Sequence, residues 1–367
     1  MFRLHDHQRG ISLIELMIAM ALGLIIMTAI GSLFVASSRS HTELQKSAAQ
    51  IENGRYSIET ITEDLKHAGF YGRLSVLPAL SGAPDPCETG SAATLLAATT
   101  LPVQAFRAAN FTSRPDITAT SCGALLPNSN LAPGSDVIVV RRGDTHTMAA
   151  AETATLNEVY IQANSFLADI RFGNGNTLAV NGGTANNSTP ATVLKKDLTP
   201  ADVRKYQVHV YFVAPCSVAS GANGKCAVGD DSIPTLKRLE LKVDPSTGNL
   251  AMVIAPLVEG IDYLKAEWGI DDQPTTINVS TNLPGDGVVD SYVAAPSNVQ
   301  LSNAVAAKVF VLARNTEATS GYVDDKTYTL GTVGGTTTAA TSDAFKRHAF
   351  ASEVRLMNVG GRKEIPE

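Results

Sequence analysis

A single carboxylate constrains this chain more than any other residue. From Ile11 through Ser38, Glu15 is the only charged side chain in a run that stays apolar to about Ala36. Roughly 20 apolar residues are enough to cross the hydrocarbon core of a bilayer as a helix. A carboxylate in such a span costs on the order of 3 kcal/mol at the membrane centre and less toward an end. A residue that expensive is a functional candidate. Ahead of it stands a short polar stretch with Arg3 and Arg9, a basic flank that holds this end in the cytoplasm. A secretory signal would end in a small-residue cleavage site beyond the apolar run. Here the run passes straight into a polar, periodic segment, which predicts a retained span with everything after about Ser38 outside the cytoplasm.

The periodic segment extends from Thr42 to Ala68. Leu44, Ala48, Ile51, Ile58, Ile61, Leu65 and Ala68 recur at intervals of three, four and seven, which defines one helical stripe. Glu43, Lys46, Glu52, Glu59, Glu63 and Lys66 occupy the other face. The spacing predicts that the stripe is buried against the remainder of the chain. Gly54 predicts a bend or local break, and Gly69 a C-terminal stop. Unbroken, a helix from Ile11 to Ala68 spans about 90 Å.

The stretch Gly10-Ile11-Ser12-Leu13-Ile14-Glu15-Leu16, with its basic leader and apolar continuation, resembles the class III signal of type IV pilins and type II secretion pseudopilins. In that family a prepilin peptidase cuts after the glycine and methylates the new amino terminus. The resemblance implies cleavage between Gly10 and Ile11, N-methylation of Ile11, and an assembly role for Glu15. The family usually has Phe where this chain has Ile11. A buried amine at Ile11 and the Glu15 carboxylate, from a neighbouring subunit or the same one, would each lower the other's cost. Asn53-Gly54-Arg55-Tyr56 and Glu63 to Gly72 resemble the PilW-type minor pilins, themselves related to the J-type pseudopilin. Leu257 to Asp262 and Asp286 to Asp290 are also PilW-like.

What this implies is a minor pilin that helps initiate type IV pilus assembly, in a tip or priming complex. Its partners would be prepilin peptidase, other minor pilins, the major pilin, the inner-membrane assembly platform and, before assembly, lipid. It would sit in the inner membrane with its C-terminal domain in the periplasm, then in the pilus. The organisation expected is a leader at 1–10, a membrane and filament-core helix at 11–38, an amphipathic continuation at 39–69 and a β-rich domain at 70–367. A type II secretion pseudopilin, or an uncleaved membrane-anchored adhesin or sensor domain, are the alternatives.

A hydrophobic content of 44% with 17% charged residues describes a folded chain, and a net charge of -6 argues against nucleic acid as a partner. Cys87, Cys122, Cys216 and Cys226 match no zinc spacing. Outside the cytoplasm an even count reads as two disulfides; the sequence-local pairing is the one expected among three connectivities. Strands are expected at Asp136 to Arg141, Glu158 to Ala163, Tyr206 to Ala214, Leu236 to Val243, Leu250 to Ile254, Leu264 to Gly269, Ala304 to Ala313 and Glu353 to Met357. Val208 to Val213 reads as central in its sheet. The stretch from Gly72 to about Pro133 reads as irregular, and the segments from Gly173 to Pro190 and Ala318 to Ser342 as surface loops. The fold class expected is α+β, a long N-terminal helix packed on antiparallel sheet.

Asp271, Asp272, Asp286 and Asp290 form a candidate calcium set, although they lack the EF-hand ligand order, and turn chemistry accounts for Asp286-Gly287 equally well. No nucleophile elbow, P-loop, dinucleotide fingerprint or zincin helix occurs, and the histidines are scattered, so no enzymatic activity and no cofactor is expected. Trp268 and Tyr263 read as core residues.

Overall fold

The computed structural model describes residues 10–78, 80, 82–149, 152–175, 193–272, 285–333, 337–338 and 342–364. Arg3 and Arg9 of the basic flank and most of the segment from Gly173 to Pro190 lie outside these. The chain divides into two compact units, Met1–Ala49 and Gln50–Glu367. Helix α1 (Leu13–Lys66) is continuous, and it is long and apolar enough to cross a membrane. In the first unit its Leu, Ile, Met and Phe side chains from Ile11 to Val35 are exposed. So large an apolar surface is tolerated where lipid or another protein covers it.

In the second unit the buried face of α1 differs from the one its apolar spacing predicts. Gln50, Gly54, Ser57, Ile61, Thr62, Asp64, Leu65 and Ala68 are buried, whereas Ile51 is exposed and Ile58 is half-buried. At 100° per residue all of these buried residues except Thr62 form a single seam, and Ile51 and Ile58 lie to one side of it. The seam is turned toward polar residues because they carry the bonds that attach the helix. Gly54 causes no bend. A Cβ there would overlap the Phe350 ring, so the glycine lets that ring approach the helix backbone.

The body of the second unit is two antiparallel sheets. After α2 (Ala92–Ala98) come β1 (Val103–Phe106), β2 (Val137–Gly143), β3 (Val159–Ala163), β4 (Ala168–Phe172), β5 (Val203–Ala214), β6 (Thr235–Val243) and β7 (Leu250–Glu259). These make a seven-stranded sheet around β5, which pairs with β2 along one edge and with β3 and then β6 along the other. Val210 pairs with Val139 on one side and Leu239 on the other, the central position its apolar run predicts. The remaining elements are β8 (Ile261–Ile270), β9 (Ser291–Val293), α3 (Asn298–Leu301), β10 (Ala304–Arg314), β11 (Tyr328–Thr329), β12 (Thr337–Thr338), β13 (Arg347–Arg355) and α4 (Met357–Gly360). The second sheet has the order β13-β10-β8-β9, and β11 with β12 forms a small hairpin within a stretch expected to be loop. The last strand starts at Arg347, six residues before the expected start, and Met357 begins α4 instead of ending a strand.

Gly260 alone joins β7 of the first sheet to β8 of the second. Its φ is +73°, and a Cβ placed on it would stand 2.6 Å from the Arg314 carbonyl oxygen, which leaves room for glycine only. Strand alternation then divides the interior in two. Val140, Tyr211 and Val213 face the core that also takes Ile61 and Leu65 of α1, Trp268 of β8 and Val309 of β10. Val139, Val210 and Phe212 face the opposite way, onto Tyr71, Leu95, Ile117 and Leu126. The stretch expected to be irregular therefore supplies a cover over the sheet's second face, with α2 inside it, and also the edge strand β1. Small Ala and Thr side chains hide its helical and strand periods. The disulfide Cys87–Cys122 staples that cover, and Cys216–Cys226 closes the loop between β5 and β6, both in the sequence-local pairing.

Filling the notch at Gly54 tests this packing. Gly54→Ala should destabilise the folded domain by about 1–3 kcal/mol despite its gain in helix propensity. Adding Phe350→Ala should remove that penalty, read as a non-additive double-mutant cycle in chemical denaturation.

Candidate functional site

Two sets of residues on α1 carry chemistry. At its start, Ser12 precedes the first helical residue. Its Oγ accepts from the Glu15 amide at 3.2 Å, while Glu15 Oε2 accepts from the Ser12 amide at 2.9 Å. This is a reciprocal capping box, in which two amides left over at the helix end are satisfied by each other's side chains. It puts the Glu15 carboxylate at the positive end of the helix dipole, close to the Gly10–Ile11 bond. Gly10 and Ile11 are exposed. The Ser-x-x-Glu spacing was legible in the sequence, but the reading of Glu15 as a lone expensive charge passed over Ser12.

Farther along α1, Asp64 is 5% exposed and has three donors. Arg142 Nε of β2 lies 2.6 Å from Oδ1; His209 Nδ1 and Tyr211 Oη of β5 lie 2.7 and 2.9 Å from Oδ2. Burial alone would raise the Asp64 pKa, but attraction to His209 and Arg142 outweighs it and holds the carboxyl far below its usual range. Burial and the neighbouring Asp64 push the Tyr211 phenol up, so it remains a donor. Arg238 Nη1 in turn reaches Tyr211 Oη at 3.4 Å. Polar anchoring recurs at the other end of the buried face. There Gln50 Nε2 donates to the carbonyls of Ala313 and Lys346, each at 2.8 Å, and Asn53 Nδ2 donates to that of Glu259 at 3.1 Å. Beyond the last turn, the segment around α4 closes the helix. Asn358 Nδ2 donates to the Ala68 carbonyl at 3.2 Å, and Arg362 Nη1 to that of Gly69 at 3.1 Å.

Sequence reasoning noticed Asp64 only inside a family-like segment and set His209 among scattered histidines. The one available signal was an acid sharing a helical face with Ile61, Leu65 and Ala68. The Leu257 to Asp262 segment also gains a physical meaning. Gly260 makes the turn between sheets, Ile261 enters the core, and Asp262 Oδ2 accepts from Arg347 Nε at 2.7 Å. Arg347 is almost fully buried and also binds Asp324 and Asp343, at 2.9 and 2.6 Å. In the Cys216–Cys226 loop region, Asp231 accepts from the amides of Ser217, Val218 and Ile233. Burial would raise its pKa, but these bonds hold it down to about 2.

Three of the four aspartates of the calcium set hold local partners through their carboxylates, and Asp272 takes part through its amide. Asp271 Oδ2 accepts from the Gly287 amide at 2.8 Å and lies 3.5 Å from Lys363 Nζ. Asp286 Oδ1 accepts from the Val288 amide, and Asp290 Oδ2 from the Asp272 amide. Among the described residues, no three His, Cys, Asp or Glu side chains gather as a metal group. Trp268 is fully buried, and Tyr263 packs edge-on against Phe111, with 5.0 Å between ring centroids.

The prokaryotic N-terminal methylation motif matches residues 5–31, which hold the capping box and the Gly10–Ile11 bond. The family described as type IV pilus-assembly protein W matches residues 210–358, from β5 into α4. Both matches point toward the type IV pilins of the PilW type. No curated protein and no solved structure matches it. The PilW match contains Tyr211, Gly260, Asp262, Arg347 and the Cys216–Cys226 loop. The Cys87–Cys122 cover lies outside both matches, so that part of the chain is read from its own packing alone.

The Asp64 clamp has a measurable signature. Asp64→Ala leaves Arg142 and His209 without their acceptor and should lower stability by about 3–5 kcal/mol. Because the folded-state pKa is depressed, the contribution is fully present above pH ~4 and is lost as pH falls further, through the folded value. The wild-type domain should therefore lose its advantage over Asp64→Ala only in strong acid, as read from denaturation midpoints between neutral and acidic pH.

Proposed function

We propose that this chain is a minor pilin of the PilW type which a prepilin peptidase cuts between Gly10 and Ile11 and methylates at Ile11. It then helps to initiate a type IV pilus together with other minor pilins and the major pilin. The observation that carries this reading is the coexistence, on one chain, of a prepilin methylation motif at residues 5–31 and a PilW region at residues 210–358. Before assembly the apolar half of α1 rests in the inner membrane, with the domain on the periplasmic side. Transfer into a filament then exchanges lipid for neighbouring pilin helices around the same apolar side chains.

Cleavage changes the role of Glu15. In the uncut chain its carboxylate is a capping group for the Ser12 amide. Cutting after Gly10 creates a positive amine at Ile11, close to that carboxylate in sequence. Neutralising this amine, in the same subunit or its neighbour, lowers the cost of carrying either charge in an apolar filament core. The amine exists only after processing, so the charge pair links processing to assembly.

Gly10→Val should leave the leader attached, read by N-terminal sequencing of membrane-extracted protein. Glu15→Val should instead be cut normally yet fail to support extracellular filaments, read by electron microscopy and twitching assays. An intact Met1 in wild-type cells with active peptidase would exclude the pilin reading. Normal cleavage in wild-type cells, together with normal piliation but lost protein secretion in a strain lacking the chain, would assign it to a secretion pseudopilus.

A further inference from the structure

Lys363, Asn303 and Asp271 meet in the interior of the second unit, outside every residue the processing and clamp sites use. Lys363 is 4% and Asp271 1% exposed. Lys363 Nζ lies 2.9 Å from Asn303 Oδ1, 2.9 Å from the Asp271 carbonyl oxygen and 3.5 Å from Asp271 Oδ2. The Asp271 amide donates to the Asn303 carbonyl at 3.1 Å, which fixes the two chain segments side by side. Asp271 Oδ1 is buried without a hydrogen-bond partner. A simple structural ammonium needs acceptors only. This site adds a half-buried carboxamide whose oxygen receives the Nζ bond, beside a buried carboxylate oxygen that has no hydrogen-bond partner.

We infer that Lys363 and Asn303 form an intramolecular isopeptide bond, with Asp271 as the group that moves the proton. Lys363 passes one proton to the Asp271 carboxylate, and the freed Nζ lone pair adds to Asn303 Cγ. The Asp271 acid supports the developing charge on Oδ1. Collapse of the tetrahedral centre breaks the Cγ–Nδ2 bond, and Nδ2 leaves as ammonia, which takes the remaining proton as ammonium. One Nζ–Cγ amide bond forms, nothing is oxidised or reduced, and the chain loses about 17 Da. Burial favours the neutral amine that this step requires, lowering the Lys363 pKa against the pull of Asp271.

The location gives the bond a mechanical purpose. Lys363 ends the segment whose Asn358 and Arg362 hold the carbonyls of Ala68 and Gly69 just beyond α1. Asn303 immediately precedes β10, a central strand of the second sheet. The cross-link would fasten the strap that closes α1 to the sheet, so that tension on the helix meets a covalent bond instead of hydrogen bonds alone.

The test is a peptide map of the full-length protein extracted from membranes, reduced and digested with trypsin. Reading the mass on peptides keeps leader cleavage and N-methylation from shifting the result. The expected product is one branched peptide joining the Asn303 and Lys363 segments, about 17 Da below their sum. Lys363→Met should give unlinked Asn303 peptide at full mass, and Asp271→Asn should leave both segments unlinked. Separate, full-mass Asn303 and Lys363 peptides from folded, protease-resistant wild type would overturn the inference, whether or not the variants fold. A linked product from Asp271→Asn would overturn the role given to Asp271.

Discussion

Asp64 is the carboxylate on which the attachment of the long helix to the first sheet depends. An amphipathic helix is ordinarily held by its apolar stripe, and apolar burial is non-directional. Here Ile61, Leu65 and Ala68 supply that burial, but the rotation of the helix about its axis is set by directed bonds. Arg142, His209 and Tyr211 converge on Asp64, and the carbonyls of Ala313 and Lys346 on Gln50. Buried polar groups are tolerated only when their partners are in place, so the arrangement permits one orientation and penalises its neighbours. Gly54 and Phe350 serve the same end by shape, since only one helical position can accept the ring.

That fixed orientation matters because α1 meets two different surroundings. From Leu16 to Val35 its exposed surface is largely apolar, whereas from Gln50 onward it has a buried seam and a mostly polar exterior. The two ends also handle charge differently. Glu15 places its carboxylate on the Ser12 amide at the helix's own start, a local arrangement. Asp64 spends its carboxylate on distant strands, which ties the second half of the helix firmly to the sheet. The segment around α4 closes the far end of the helix by binding the carbonyls of Ala68 and Gly69.

Local rules made much of this readable from the residues alone. The helix, its stop near Gly69, the presence of two disulfides, the central position of Val208 to Val213 and the α+β class follow from period, cysteine parity and turn residues, and the sequence-local choice among three pairings is the one the structure has. The strand expected from Glu353 to Met357 is misplaced because the polar residues of β13, an edge strand, conceal its true start at Arg347. The cover between Tyr71 and Leu131 was invisible for a different reason: Ala and Thr dominate it, and they declare neither period. The stripe from Leu44 to Ile51 was assigned inward because counting apolar residues cannot anticipate a seam lined by Gln50, Ser57 and Asp64.

By itself the sequence determined where a membrane-compatible helix begins and that Glu15 is the one charged residue between Ile11 and Ser38. These depend on spacing along one chain, and spacing is written in the residues. Only the tertiary structure decided that Asp64 belongs to Arg142, His209 and Tyr211, that Asp262 belongs to Arg347, and that Lys363 lies against Asn303. Each joins groups separated by many residues, and none has a local pattern to announce it. Such pairs arise where strands from distant parts of the chain are brought side by side, and burial then makes each charge depend on its partner.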